Sequence, residues 1–386
     1  MMIVLIFLIV LSVLVLIHEF GHFIAARIFG VKAEEFGYGF PPRMVGFVKD
    51  KGKWKKVGPK DETSYKNTIW SMNWLPLGGF VRIKGEGGED KVDDKDAFQS
   101  KPIWQRILIL AAGVGMNWLL AFAIFVFIFN LGAPAILQDL PAGYEVKDKS
   151  VRITNIMAGG PADKAGLLVG DQVISIAGVT PTDFEQARTE IAAQNDKAFD
   201  VKVLRDNKET DINVQPEFIK EINKQGIGVA MADVGIVKFG FFRSLVLAAQ
   251  TVYSYTKEVL FAFGGMLRDI IFLRKIDQDV SGPIGIAVMT GQVAKQGIVA
   301  LLQFAAILSI NLAVVNFLPI PALDGGRVLF LIIEKIRRKA VAHKIEAGIH
   351  QIAFISLIIL ILLVTIRDLG RYGGAIIGGL KNLVGM

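Results

Sequence analysis

The sequence of 386 residues contains no cysteine. Disulfides, thiolate metal ligands and a cysteine nucleophile are therefore excluded, and any metal must be held by His, Asp or Glu. Histidine is scarce as well, with four in the chain. Charge is sparse: 20% of residues are charged against 52% hydrophobic, and mean hydropathy is +0.47. That is too apolar for an ordinary soluble protein and fits several membrane spans. The net charge of +7 does not call for nucleic acid, because Lys and Arg cluster in loops beside apolar segments, as they do on the cytoplasmic side of membranes. The N-terminal apolar run lacks a basic leader and a small-x-small cleavage site, so it reads as a retained span rather than a signal peptide.

Against that scarcity, His18-Glu19-Phe20-Gly21-His22 stands out at the end of the first apolar run. On a helix, residues four apart share a face, so both imidazoles can ligate one Zn²⁺ with Glu19 beside them as base for a water. A carboxylate and two histidines are costly in lipid unless they serve a function.

The first span covers roughly Ile3 to Ala26, and Arg27 and Lys32 place its C-terminal end on the cytoplasmic side. Residues 32–106 hold 15 Lys or Arg and 11 Asp or Glu, the positive excess of an inside loop. Glu35 to Val48 and Trp54 to Val57 have strand composition. The apolar stretch Trp74 to Ile83 contains Pro76, Gly78 and Gly79, which argues against a spanning helix. It suits a β-hairpin at the membrane, re-entrant or dipping into headgroups, whose edge can pair with an extended substrate. Gly85 to Asp96 reads as acidic loop.

A second span runs from Ile107 to about Leu131. It opens with small residues that let a neighbouring helix approach. Asn117 needs a partner there: it either orients a catalytic group, holds a substrate backbone, or packs helices. Val151 to Pro216 alternates strands and glycine turns, with helices near Pro161 and over Phe184 to Ala193, and Gly226 to Val229 as a closing strand. It contains no histidine, which suits a peptide-binding or size-filtering module. Phe239 to Leu273 has the mixed pattern of a helix lying on the membrane. Ser281 to Gly285 breaks the chain.

The third span starts near Gly297. Pro319 and Pro321 break it before Leu323-Asp324-Gly325-Gly326. Asp324 is the one acid in this segment, so it is the natural third metal ligand, leaving a fourth position open; it also stands where a helix over Arg327 to Arg337 would want an N-cap. Arg337, Arg338, Lys339 and Lys344 form another inside patch, and a fourth span covers Ala347 to Ile366 before a glycine-rich tail. The large loop 134–295 has 18 Lys or Arg against 20 Asp or Glu, so it lacks the inside signature.

These motifs together resemble the site-2 protease family of intramembrane zinc metalloproteases, nearest its bacterial regulator-of-sigma-E branch. The resemblance implies a polytopic α-helical membrane protein of about four transmembrane helices, with a membrane-associated β-hairpin and one extracytoplasmic PDZ-like domain. It implies one Zn²⁺ on His18, His22 and Asp324, with Glu19 as catalytic base. Asn117 and Asn316 would support substrate or transition state, and Gly78, Gly79 and Phe80 would belong to the substrate-engaging hairpin. The implied partners are single-span proteins already trimmed by another protease, peptide ends at the PDZ-like domain, and membrane lipid, with no nucleic acid. The expected location is the bacterial cytoplasmic membrane, with both termini outside. The expected segments are 1–31, first span; 32–102, β region; 103–133, second span; 134–235, PDZ-like domain; 236–295, membrane-surface helices; 296–326, third span; 327–346, basic helix; and 347–386, fourth span and tail. A membrane scaffold that binds peptides without zinc is the main rival. A transporter is a weaker one, since there is no paired inverted repeat.

The missing cysteines make the topology easy to test. Single cysteines introduced at Lys197 and Arg338 should label from opposite sides of the membrane, and only the first should react with an impermeant reagent in intact cells. Equal labelling would overturn the four-span arrangement.

Overall fold

The computed structural model describes residues 2–61, 63–87, 94–137, 145–157, 159–205, 208–219, 224–269, 272 and 282–384. The chain divides into two compact units, Val126–Val246 and the remainder.

The remainder begins with helix α1, Met2–Ile28, unbroken by charge until its last third. Strands β1 (Ala33–Asp50), β2 (Lys53–Val57) and β3 (Ile69–Ile83) follow as one sheet in the order β2-β1-β3. β1 and β3 both bend. Gly37 stands opposite Phe80 at one point of the register and Ser71 at another, and Arg43 faces Asn73 beyond the bend. The stretch Trp74 to Ile83, expected as a hairpin, is thus the larger part of one long bent strand. It packs along α1, where Gly78 and Gly79 allow contact: a Cβ would come within 2.6 Å of Val15 and 2.8 Å of Leu16. Inside the sheet, Glu35 is buried and takes the Arg43 guanidinium on both carboxylate oxygens, Nε to Oε1 at 2.7 Å. Burial works against that anion, but the hydrogen bonds and charge of Arg43 outweigh it and hold the carboxyl below its ordinary value.

Helix α2 spans Ile103–Leu131. Ile109 and Leu110 of α2 pack with Ala25 and Ala26 of α1 in one buried cluster.

In the Val126–Val246 unit, β4 (Ala133–Ile136), β5 (Glu145–Ile156), β6 (Gln172–Ile176), β7 (Phe199–Arg205), β8 (Lys208–Val214) and β11 (Val229–Lys238) form a sheet ordered β4-β11-β5-β6-β7-β8. β9 (Glu217–Ile219) and β10 (Lys224–Gly226) pair separately. Helices α3 (Pro161–Ala165) and α4 (Phe184–Ala193) complete the unit. Alternation builds its core: Phe199, Val201 and Val203 of β7 face Ile212 and Val214 of β8 inward. Asp183 caps α4, its carboxylate accepting the Gln186 N–H at 2.8 Å. The closing strand differs from expectation. Gly226 still belongs to β10, Gly228 has φ +74° in the link after it, and the strand runs from Val229 past residue 235 to Lys238. A groove of about 520 Å³ lies between α4 and this strand, lined by Met157, Arg188, Ile191, Ile219, Gly228 and Val229.

Helix α5, Phe241–Arg268, opens the return to the first unit. The expected 236–295 surface region divides in two, because Pro283–Lys295 is a separate helix, α6, packed on α1 and in contact with α7 (Ile298–Phe317) and α9 (His343–Val384). Between α7 and α9 lies α8, Asp324–Arg337. The tail expected beyond Ile366 continues as α9. The glycines there leave the helical hydrogen bonds intact, so composition alone did not end it. Residues 88–93 of the expected acidic loop, and 270–271 and 273–281 around the expected chain break, lie outside the described residues. Among the described residues, four helices are long and apolar enough to cross a membrane: Met2–Ile28, Ile103–Leu131, Ile298–Phe317 and Lys344–Arg371.

A carboxylate of α9 caps the start of α6. Asp368 is 4% exposed, and its Oδ2 accepts the Gly285 N–H at 2.7 Å, one of the amides left open in the first turn of α6. D368L should cost about 1–3 kcal/mol, the range for leaving a buried donor unpaired, and D368N should cost less because it keeps an acceptor. Thermal unfolding in detergent checks this, and unchanged stability in D368L would remove the cap from the account.

Candidate metal centre

His18 and His22 lie one helical turn apart on α1 and are 5% and 6% exposed. Their rings meet edge to face, centroids 4.9 Å apart. The two Nε2 atoms are separated by 3.3 Å, and Asp324 Oδ2 stands 2.9 Å from that of His18 and 3.4 Å from that of His22. Asp324 arrives at the first position of α8, where Leu323, not Asp324, is the N-cap. Its carboxylate is therefore directed to the histidines instead of to its own helix.

The donors fit a metal. Two imidazoles and a carboxylate are a catalytic-zinc ligand set, and around a tetrahedral ion with bonds of about 2.0–2.2 Å neighbouring donors stand roughly 3.3–3.5 Å apart. The other ring nitrogens agree. His22 Nδ1 lies 2.9 Å from the Ile109 carbonyl oxygen, to which an N–H must donate, so its Nε2 carries a lone pair. Asn117 Nδ2 lies 3.2 Å from His18 Nδ1, while Asn117 Oδ1 is buried with no partner among the described residues. A half-turn of the amide lets that oxygen accept from Nδ1–H and frees the His18 Nε2 lone pair as well. Two lone pairs and a carboxylate oxygen then face one another, an arrangement that is repulsive without a cation between them.

Glu19 is half-buried, and its Oε2 accepts the Val81 N–H of β3 at 3.1 Å. Asn316, near the end of α7, brings Nδ2 to 3.5 Å from His18 Nε2. Ser309 donates to the Asn117 carbonyl at 2.9 Å. The remaining expected residues stand apart from the ligand atoms: Gly78 and Gly79 pack on α1, and Gly37 opens space for the Phe80 ring, which a Cβ there would approach to 2.5 Å.

Some contributors are not visible as motif residues. A Cβ on Gly113 would lie 2.3 Å from His22 Nε2, and one on Gly21 would lie 2.3 Å from the Ala112 carbonyl oxygen. The small-residue run in the second span signals a close helix approach, but not that the approach occurs over the metal ligands. Gly325 and Gly326 fold the Asp324 turn under the end of α7, where a Cβ would come within 2.2 Å of the Leu318 carbonyl and 2.3 Å of the Ile320 carbonyl. His350 of α9 accepts the Ala322 N–H at 2.8 Å, two residues before Asp324.

The family described as Peptidase family M50 matches residues 6–360. The regulator of sigma-W protease RasP of Bacillus subtilis is 31% identical over 444 residues, covering 95% of this chain and 97% of the relative. Zinc metalloprotease RasP of Geobacillus kaustophilus is 29% identical over 446 residues, covering 95% and 97%. Among solved structures, the PDZ domain of the SdrC-like protein from Listeria innocua matches 21% of this chain and 92% of its own at 21% identity and TM-score 0.20, an overlap too slight to assign the fold of the second unit.

Two substitutions probe the centre. D324A should strip bound zinc by removing a ligand. G113V should also strip it, although Gly113 supplies no donor, because the added side chain occupies the place of the His22 ring. Zinc content of purified protein checks both, and full occupancy in D324A would sink the third-ligand assignment.

Proposed function

The chain belongs to peptidase family M50, and on that premise we propose that it is a zinc-dependent intramembrane endopeptidase cutting single-span proteins in or near their transmembrane segment. The observation that carries the reading is the meeting of His18, His22 and Asp324, with all ligand atoms within 4.8 Å of one another, beside Glu19 and inside apolar helices.

One zinc held by these three residues would supply a Lewis acid and an acidified water. Glu19 takes the proton from the attacking water and passes it to the leaving amide nitrogen as the C–N bond breaks. The Val81 amide holds Glu19 by one oxygen, leaving the other for the proton. Asn316 offers an N–H near the ligand atoms, where it can steady the carbonyl oxygen as charge develops. A helical substrate must be drawn out first, since its own hydrogen bonds shield its carbonyls. The β3 edge around Gly79 to Val81, running past Glu19, suits that role by pairing with an extended segment.

The charge pattern supports a cytoplasmic position for loops 32–106 and 327–346, and an outer position for both termini and the 134–235 module. That module has no histidine, and its groove between α4 and β11 suits either an extended peptide end or steric exclusion of bulky outer domains. Substrates trimmed by an earlier protease, such as anti-sigma factors or remnant signal peptides, fit such a filter.

Cleavage of a single-span protein by purified enzyme in detergent tests the proposal. Wild type should cut, and E19Q should keep its zinc but lose at least about 10²-fold in rate, the lower end for a general base. Zinc-free protein that cuts, or E19Q as active as wild type, would refute it. Offering trimmed and untrimmed substrates side by side reads the filter.

A further inference from the structure

A cleft of about 490 Å³ opens at the C-terminal end of α1, away from the metal ligands. It is lined by Arg27, Lys32, Lys49 and Lys66 together with Trp54 and Trp70. Its one acidic lining residue, Asp96, is already paired with Lys84 at 2.8 Å. Arg27, Lys49 and Lys66 form no ion pair with a carboxylate among the described residues, and Arg27 leans on the Phe23 ring at 5.6 Å. Four cations are thus gathered where folding alone would spread them.

The sheet register explains the aromatic side. Lys49 stands opposite Trp54 and Phe47 opposite Lys56, and Phe47 also faces Trp70, so these side chains share one face of the sheet. Val48 and Val57 occupy the other face and are fully buried. The shared face is left open: Phe47 is 48% exposed, Trp54 65% and Trp70 41%. Ile24 and Ile28, on α1 beside the cleft residue Arg27, are exposed as well. An exposed apolar helix end, indole rings and cations are thus brought together, the three kinds of group that match a bilayer's acyl chains, interface and phosphates.

We infer that this cleft binds the headgroup of an anionic phospholipid. Arg27, Lys32, Lys49 and Lys66 receive the phosphate, Trp54 and Trp70 sit at the interfacial level, and an acyl chain follows Ile24 and Ile28 along α1. A soluble phosphate would have no use for the exposed indoles and helix face. The inference depends on α1 spanning the membrane and is independent of the peptidase chemistry.

Full-length protein in nanodiscs of phosphatidylcholine with phosphatidylglycerol tests it, with retained lipids counted by native mass spectrometry. Wild type should keep phosphatidylglycerol in preference to phosphatidylcholine. K49Q/K66Q should lose that preference, with apparent affinity falling roughly 30-fold, which corresponds to about 1 kcal/mol for each basic side chain near an anionic surface. K197Q/K208Q, the same charge change in the second unit, should keep it. Zinc content of K49Q/K66Q matching wild type excludes a folding defect; if that variant does not fold, W54A read in the same way replaces it. Retention unchanged in K49Q/K66Q, or lost equally in K197Q/K208Q, would overturn the site. Displacement of the lipid by millimolar inorganic phosphate would make it a free-anion site and overturn the lipid assignment.

Discussion

Imidazoles buried among apolar helices need a partner at every ring nitrogen, and the membrane offers no water to make up a shortfall. Much of unit one answers that requirement. His22 spends Nδ1 on the Ile109 carbonyl and His18 spends Nδ1 on Asn117, so both Nε2 atoms turn toward Asp324. The Ile109 carbonyl lies inside α2, so its contact with His22 Nδ1 obliges α2 to pass close to α1. That approach is possible only where side chains are missing, which is the place of Gly21 and Gly113. The placing of the two imidazoles and the helix crossing are therefore one constraint: a larger residue at either glycine separates the helices and disturbs the rings together.

The parts of this arrangement that are local in sequence were legible there. Two histidines four apart read directly as one helical face, and Asp324 followed because its segment has no other acid. Hydropathy placed the four helices apolar enough to span, and strand composition with glycine turns marked Val151 to Pro216 as sheet. What escaped was what depends on distant segments meeting. Nothing local distinguishes Gly113 from the glycines around it, and no motif announces that the Val81 amide will meet Glu19, 62 residues away. α6 escaped for a different reason. At 13 residues it is too short to read as a span, and its first turn is satisfied by Asp368 from α9, a partner that a sequence window cannot contain. The bend of β1 and β3 belongs to the same class, since prolines and glycines announced irregular strands but not which residues would face one another.

Position along α1 reconciles two opposed demands, for hydrolysis needs water while spanning helices exclude it. At 1.5 Å per residue, His22 lies about 9 Å and His18 about 15 Å from Ile28, well inside the helix yet nearer the end that carries Arg27. The other side of the centre meets the same end differently. Backbone between Phe317 and Asp324 is not helical, and a broken backbone is tolerated at such depth only where protein or a wet cavity satisfies it. Here protein does much of this: His350 takes the Ala322 amide, and the Asp324 turn tucks under α7 by virtue of Gly325 and Gly326. Asp324 still keeps 23% of its side chain accessible, whereas the histidines are nearly closed off. The accessible side of the centre is therefore the carboxylate side, next to the start of the charged helix α8. On the proposed reading, the break in the backbone that brings Asp324 to the histidines would also be the side from which water reaches them.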